Sequence, residues 1–452
     1  MKILKIKNFN LRSIYLFLAL LGFFFTSATI SHAEEDNTEE NLIEASIIGE
    51  SQAEENQAEE NQAEESKATV KDADEEFNAV WISYLEFNDR LKDPATGKFG
   101  FTEERFSTLI DTMFDNVVDL NMNAVVVHVR PFGDAMYPSE YFPWSKYISG
   151  AQGMDPGFDP LKYMVKAAHE RGLKFHAWIN PYRVTNNTTN VLQLSKDNSA
   201  RKWRTNESKS DDRNVLTFAG ALYFNPSDTW VQAKIRYGIQ EIVENYDVDG
   251  IHFDDYFYPS LGVNYAKNFD YLEYKEYYAW CKENKVEPNK IADWRRENVN
   301  RLVKKVYQDI KDIDETVEFG ISPGGFLDLL SMDDRYYSDV KTWLSKPGYI
   351  DYICPQLYWS FSHSTYPYDK ILDRWLELRT NLDVKMYVGI ATYRSGSNFE
   401  TEWKKDPKVL KNQIEYGRET GLVEGLIYFR YDYFYKIATQ KGVKNLLGIL
   451  SR

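Results

Sequence analysis

The stretch 249-DGIHFDDYFYP-259 decides how this chain is read. It follows a helix-like run, SDTWVQAKIRYGIQEIVENY (227–246), and opens with the β-branched and aromatic content of a short buried strand. Two carboxylates and a group of tyrosines close it. In barrels of alternating strands and helices, chemistry gathers where the strands end, at the C-terminal face. An acid there is poorly placed for core packing and well placed for catalysis. The competing role is an Asp that caps the next helix or accepts backbone hydrogen bonds.

Working outward, eight strand candidates alternate with helices. They are FNAVWISYL (77–85), NAVVVHVR (123–130), KFHAWIN (174–180), DGIHFD (249–254), VEFGIS (317–322), YIDYICPQLYW (349–359), KMYVGIAT (385–392) and GLIYFRY (425–431). Such near-continuous apolar runs are what buried parallel strands require. The helices carry clear punctuation. Asp159-Pro160 starts one, Ser227 is the expected cap of another, Asp406-Pro407 starts a third, and a final helix is expected over 441–449. The pattern predicts an α/β fold, a (β/α)₈ TIM-type barrel over 77–452. An open doubly wound sheet fits less well, because no Gly-rich phosphate loop follows the first strand. Long connections follow the third strand (184–226) and the fourth (260–292), and both are expected to wall a cleft at the C-terminal face. The aromatic run NYAKNFDYLEYKEYYAW (264–280) reads either as a helical lid or as a helix on the rim.

Two segments precede this region. Lys2, Lys5, Lys7 and Arg12, the apolar run IYLFLALLGFFFTSATI and Ser31-His32-Ala33 form a signal peptide over 1–33. The apolar run is short for a membrane span, so the mature chain is expected to be secreted or held in the cell envelope, off the membrane. Residues 34–76 repeat AEENQ and predict a disordered acidic linker. They hold 17 acids against Lys67 and Lys71, and the leader adds four positive charges, so the total of −15 leaves −4 for residues 77–452. That near-neutral remainder offers no electrostatic footprint for nucleic acid. Cys281 and Cys354 are the two cysteines, and both read as structural; a disulfide between them is left open.

The strand ends assemble a polar and aromatic set. In order they offer Trp81, Tyr84 and Glu86; His128, Arg130, Asp134 and Tyr137; Trp178, Asn180 and Arg183; His252, Asp254 and Asp255; Ser322; Gln356, Tyr358 and Trp359; Tyr393 and Arg394; Arg430 and Asp432. Carboxylates, arginines, amides and aromatic platforms together suit carbohydrate recognition. Along the fourth strand, alternation puts His252 and Asp254 on one face and turns Asp255 elsewhere unless the strand has already ended. The partner carboxyl that glycoside hydrolysis needs is therefore expected from another loop: Asp134 first, then Asp339 or Glu86. No histidine or cysteine spacing builds a convincing metal site, and no cofactor is expected. No phosphate-loop motif occurs.

Several long blocks resemble the glycosyl hydrolase-like 10 family: VRPFGDAMYPSEYFPWSKYISGAQGMDPGFDPL (129–161), AHERGLKFHAWINPYR (168–183), DVDGIHFDDYFYP (247–259), WRRENVNRLV (294–303), FGISPGG (319–325) and IDYICPQLYW (350–359). The resemblance implies a barrel related to glycoside hydrolases. For exported bacterial members it implies action on peptidoglycan glycan strands stripped of stem peptides. The fourth strand is also similar to the DGxDxDxE signature of family-18 chitinases. Asp249 and Asp254 match it, His252 replaces the middle acid, and Tyr256 stands where the catalytic Glu would be.

The resulting expectation is a secreted, monomeric glycosidase acting on a wall polysaccharide, most simply an N-acetylhexosamine polymer. Asp254 and a second acid among Asp134, Asp339 and Asp255 would carry the chemistry. Trp81, Arg130, Tyr137, Trp144, Trp178, Asn180, Arg183, His252, Tyr258, Gln356 and Tyr358 would hold the glycan. The competing class is a barrel that binds wall glycan without cleaving it.

Overall fold

The computed structural model describes residues 76–450, so the expected leader and nearly all of the acidic linker lie outside the described residues. Ten strands run in chain order: β1 (Phe77–Ile82), β2 (Ala124–Arg130), β3 (Lys174–Ile179), β4 (Val215–Phe218), β5 (Ala221–Phe224), β6 (Gly250–Phe253), β7 (Glu318–Ile321), β8 (Tyr352–Ile353), β9 (Lys385–Ile390) and β10 (Gly425–Tyr428). Eight of them close a parallel barrel in the order β1-β10-β9-β8-β7-β6-β3-β2. The remaining two, β4 and β5, form an antiparallel hairpin inside the long connection after β3.

Each barrel strand sends alternate side chains inward and outward. On β1, Ala79 and Trp81 join an interior cluster with Phe77, Val126, Trp178, Tyr352 and Tyr387, while Val80 and Ile82 pack against the helical layer. The interior is crowded enough to dictate glycine at two positions. A Cβ on Gly320 would lie 2.0 Å from the Tyr352 ring, and one on Gly250 would lie 2.6 Å from His176.

Strand ends depart from the expected runs for local reasons. β1 stops at Ile82 because Ser83 caps the helix Tyr84–Arg90, accepting from Leu85 N while Glu86 accepts from Ser83 N at 3.0 Å. β8 is short because Pro355 lacks an N–H for the ladder; Gln356 re-engages through single bridges to Gly324 and Gly389. Asp159 caps the helix Pro160–His169 as expected. The cap of Thr229–Asn245 is Asp228, which accepts from Val231 N at 2.8 Å, and not Ser227. Asp406 accepts from Lys408 N one turn ahead of the helix Val409–Glu419, and the last helix is Gln440–Leu450.

The two long connections are clasped to each other. Arg213 donates to Glu273 at 2.9 Å and to Glu276 at 2.7 and 3.0 Å, tying the segment after β3 to the helix Tyr271–Glu283. That helix stacks Tyr277 on Trp294 at 5.8 Å, and none of its residues lines the central cavity. It is a rim helix. Cys281 on this helix and Cys354 in the barrel interior are both buried free thiols, so no disulfide joins them.

Candidate active site

β6 ends at Phe253, whose carbonyl accepts from Ser322 N at 2.8 Å, and the chain then turns out of the ladder. Alternation therefore no longer applies to the next two residues. Asp254 and Asp255 both face a cavity of about 370 Å³ at the C-terminal mouth of the barrel. This corrects the expectation that Asp255 points elsewhere. Its backbone N–H donates to Asp254 Oδ1 at 2.8 Å, which sets the two acids side by side. Gln356 Nε2 reaches Asp254 Oδ1 at 3.2 Å while also donating to Ser322 O at 3.1 Å.

Burial holds both carboxyls above the usual range. For Asp254 the donors from Asp255 and Gln356 and the positive charge of Arg183 pull back toward the anion. Asp255 is pushed well up by burial and then by the Asp254 charge beside it. The pair therefore shares a proton, with Asp254 the better-stabilised anion and Asp255 the better proton holder.

Around the pair stand Trp81, Tyr84, His128, Trp178, Asn180, Arg183, Tyr256, Ser322, Tyr358, Tyr393 and Phe429. Arg183 lies over the Tyr256 ring at 4.3 Å and the Phe132 ring at 5.2 Å, which holds its guanidinium at the cavity edge. Asn180 donates to Pro131 O at 3.0 Å. Its Oδ1, both ring nitrogens of His128, Trp178 Nε1 and Ser322 Oγ have no hydrogen-bond partner among the described residues. The residues that carry them line the cavity, where a polyhydroxylated ligand would bring both donors and acceptors. His128 stacks on Trp178 with centroids 3.4 Å apart, and burial keeps it neutral.

Beneath the cavity a hydrogen-bonded column runs down the barrel. Trp81 Nε1 donates to His252 Nε2 at 3.2 Å, His252 Nδ1 meets the Tyr352 hydroxyl at 2.8 Å, and that hydroxyl meets His176 Nδ1 at 3.0 Å. An indole only donates, so His252 carries its proton on Nδ1 and gives it to Tyr352 oxygen. The tyrosine proton then goes to His176 Nδ1, leaving the His176 proton on Nε2. Burial keeps both imidazoles neutral: His252 lies well below its ordinary pKa and His176 falls to about 4. His252 thus lies under the site and fixes Trp81, while Trp81 itself faces the cavity.

Several expected site residues lie elsewhere. Arg130 is turned out of the cavity by a β-bulge: His128 pairs with Trp178 but Arg130 pairs with Ile179, so one extra residue on β2 flips its face. Its guanidinium sits over the Phe142 ring at 3.7 Å. Tyr137 donates to Gly238 O at 3.1 Å, and Tyr258 donates to Asp270 at 2.8 Å within a buried network that includes Arg295. Trp144 is half-buried in the loop after β2, bridged through its backbone to Ala135, and does not line the cavity.

The expected partner acids are also committed away from the cavity. Asp134 is buried and accepts from Gln152 at 2.9 Å, with its pKa raised to about 6 by burial. Asp339 caps the turn Val340–Trp343 and accepts from Asn300 at 2.8 Å. Glu86 is paired with Arg430 beneath the Ser83 cap, and Asp432 joins Arg90 at 2.7 Å. Ser83, Leu85, Tyr256 and Phe429 complete the lining without having been singled out for ligand contact. Only Tyr256 carried a signal, its place two residues beyond Asp254.

The sequence and the fold both have known counterparts. The family profile described as glycosyl hydrolase-like 10 matches residues 76–405. This chain belongs to the glycosyl hydrolase-like 10 family. Glycosyl hydrolase YngK of Bacillus subtilis (strain 168) is 37% identical over 375 residues, covering 79% of this chain and 68% of that protein. Glycosyl hydrolase DigH of Escherichia coli (strain K12) is 33% identical over 404 residues, covering 84% and 88%. Among solved structures, the glycoside hydrolase domain of PgaB (BpsB) from Bordetella bronchiseptica aligns over 82% of this chain and 99% of that one, with TM-score 0.52 and 13% identity. The endo-1,4-beta-mannanase of Rhizomucor miehei aligns over 85% and 97%, with TM-score 0.50 and 10% identity. Identities that low bear on the fold alone. The glycosyl hydrolase-like 10 barrel seen here places two carboxyls with raised pKa side by side in the cavity at its C-terminal mouth.

Proposed function

We propose that this protein is an exported glycoside hydrolase that cleaves bacterial cell-wall glycan, peptidoglycan strands in the first instance. The observation that carries the proposal is the Asp254–Asp255 pair in a cavity walled by Trp81, Trp178, Tyr358 and Arg183. Asp255 donates the proton to the departing glycosidic oxygen, and Asp254 carries the compensating negative charge. Trp178 and Tyr358 offer ring surface to sugar faces, while Arg183, Asn180, Gln356 and Ser322 bond hydroxyl, acetamido or lactyl groups. Family membership supports the hydrolytic class. The leader-like first 33 residues support export, and the acidic stretch behind them reads as a solubilising spacer. No cofactor enters this chemistry, and the working unit is a monomer.

The test is digestion of intact and amidase-stripped peptidoglycan with mass analysis of the soluble products. Glycan fragments should appear from the stripped strands and vanish with Asp254→Asn. Tight glycan binding with no fragment from either substrate would assign the barrel to recognition without cleavage.

A further inference from the structure

Ordinary two-carboxylate glycosidases set their acids about 5–5.5 Å apart for retention or about 6.5–9.5 Å apart for inversion, so that the groups work on opposite sides of the sugar. Asp254 and Asp255 are consecutive, joined by the Asp255 N–H on Asp254 Oδ1, and both open onto one cavity. No other carboxylate lines the cavity among the described residues. Glu86, Asp134 and Asp339 are spent on Arg430, Gln152 and Asn300. Two of the four tyrosines in the cavity lining are disfavoured as nucleophiles as well. Tyr256 and Tyr358 line the cavity, yet burial first and the neighbouring charges after it hold both phenols in the neutral form.

We infer that the nucleophile arrives with the substrate: the 2-acetamido oxygen of an N-acetylhexosamine attacks its own anomeric carbon. The inference rests on the hydrolase reading above and names the sugar class that reading requires. An intramolecular nucleophile replaces the missing protein group and brings a large effective concentration. It also explains why two acids stand side by side. Asp254, held as the anion by the Asp255 N–H and Gln356, accepts the amide N–H and orients the carbonyl toward C1.

In the first step the C1–O(carbonyl) bond forms and the glycosidic C1–O bond breaks. The bonding pair leaves with the departing oxygen, which takes the Asp255 proton. The oxazolinium left behind keeps its N–H on the Asp254 carboxylate. In the second step water attacks C1, its proton passes to the Asp255 carboxylate, and the ring opens to restore the acetamido group. Two inversions at C1 give overall retention. Trp81, Tyr358 and Phe429 line the same cavity and supply the aromatic carbon against which the acetamido methyl packs.

The experiment compares three preparations of one stripped glycan: native, chemically de-N-acetylated, and re-N-acetylated. The anomer of the fresh product is read by NMR, and competition by the thiazoline of N-acetylglucosamine is measured. The expected result is cleavage of the de-N-acetylated strands about a thousandfold or more slower, recovery on re-acetylation, retained product and competitive inhibition. Comparable cleavage with and without the acetyl groups, or inverted product, overturns the inference and leaves the hydrolase reading standing. Failure to cleave any of the three preparations overturns both.

Discussion

Asp255 at the barrel mouth and Asp134 in the loop after β2 are acids of the same kind under the same pressure. Burial lifts both above the ordinary carboxylate range, and Asp134, at about 6, even holds the value a general acid would want at neutral pH. What separates them is space. Asp255 faces a cavity shared with a second carboxyl, an arginine and open polar atoms; Asp134 faces Gln152 and the wall of its own loop. A raised pKa marks burial, and only room for a reacting atom turns it into a site.

The largest expected effect tests the mouth. Asp254→Asn and Asp255→Asn should each reduce turnover of wall glycan by about 10²–10⁴-fold without lowering the melting temperature. Near wild-type rates in either variant would remove the pair from the chemistry. A leaving-group experiment sharpens the contrast. On a substrate with an activated aryl leaving group, which needs little protonation, Asp255→Ala should regain far more activity than it shows on natural glycan. Asp134→Ala should match the parent on both, and an aryl-specific rescue there would move the proton donor into the β2 loop.

The two arginines repeat the comparison at smaller scale. Arg183→Met should raise KM or lower kcat by roughly tenfold to a hundredfold, the worth of a charged hydrogen bond to substrate. Arg130→Met should leave the kinetic constants near the parent values, whatever it does to melting; a kinetic loss as large as that of Arg183→Met would place Arg130 in the site after all. The smallest effect is one of stability. The folded pKa of Asp134 lies above its unfolded value, so the folded state binds the extra proton and loses stability as pH rises from about 4 through about 6. Asp134→Asn removes that loss. Its unfolding free energy relative to the parent should climb across this window to a plateau on the order of 2–3 kcal/mol above it, with activity preserved. Denaturant titrations at pH 4, 6 and 8 would show it, and a difference independent of pH would refute it.

The barrel was legible in the sequence because parallel strands buried on both faces are near-continuous apolar runs, and all eight appear where those runs lie. Caps at Asp159 and the final helix followed from local chemistry for the same reason. The site was legible in part. Asp254, Trp81, Trp178, Asn180, Arg183, Gln356 and Tyr358 face the cavity as strand-end placement predicts. The misses trace to where alternation fails. A bulge between His128 and Arg130 flips one arginine, and β6 ends one residue before Asp254, which frees Asp255 to turn inward. Neither event is written in residue type. Asp134, Tyr137, Trp144 and Tyr258 have the composition of ligand contacts but are taken up within the fold: Tyr137 by Gly238 far along the chain, and Asp134, Trp144 and Tyr258 by Gln152, Ala135 and Asp270 nearby in sequence. Periodicity carries no information about those partners.

The column beneath the cavity has a consequence for time as well as for geometry. Trp81, His252, Tyr352 and His176 each hold one exchangeable proton, all aligned in a single sense, and the last three lie below the cavity inside eight strands. Such protons trade with solvent deuterium only when the barrel itself opens. The imidazole N–H signals of His252 and His176 should therefore report, through their protection from exchange, how rarely the barrel axis opens.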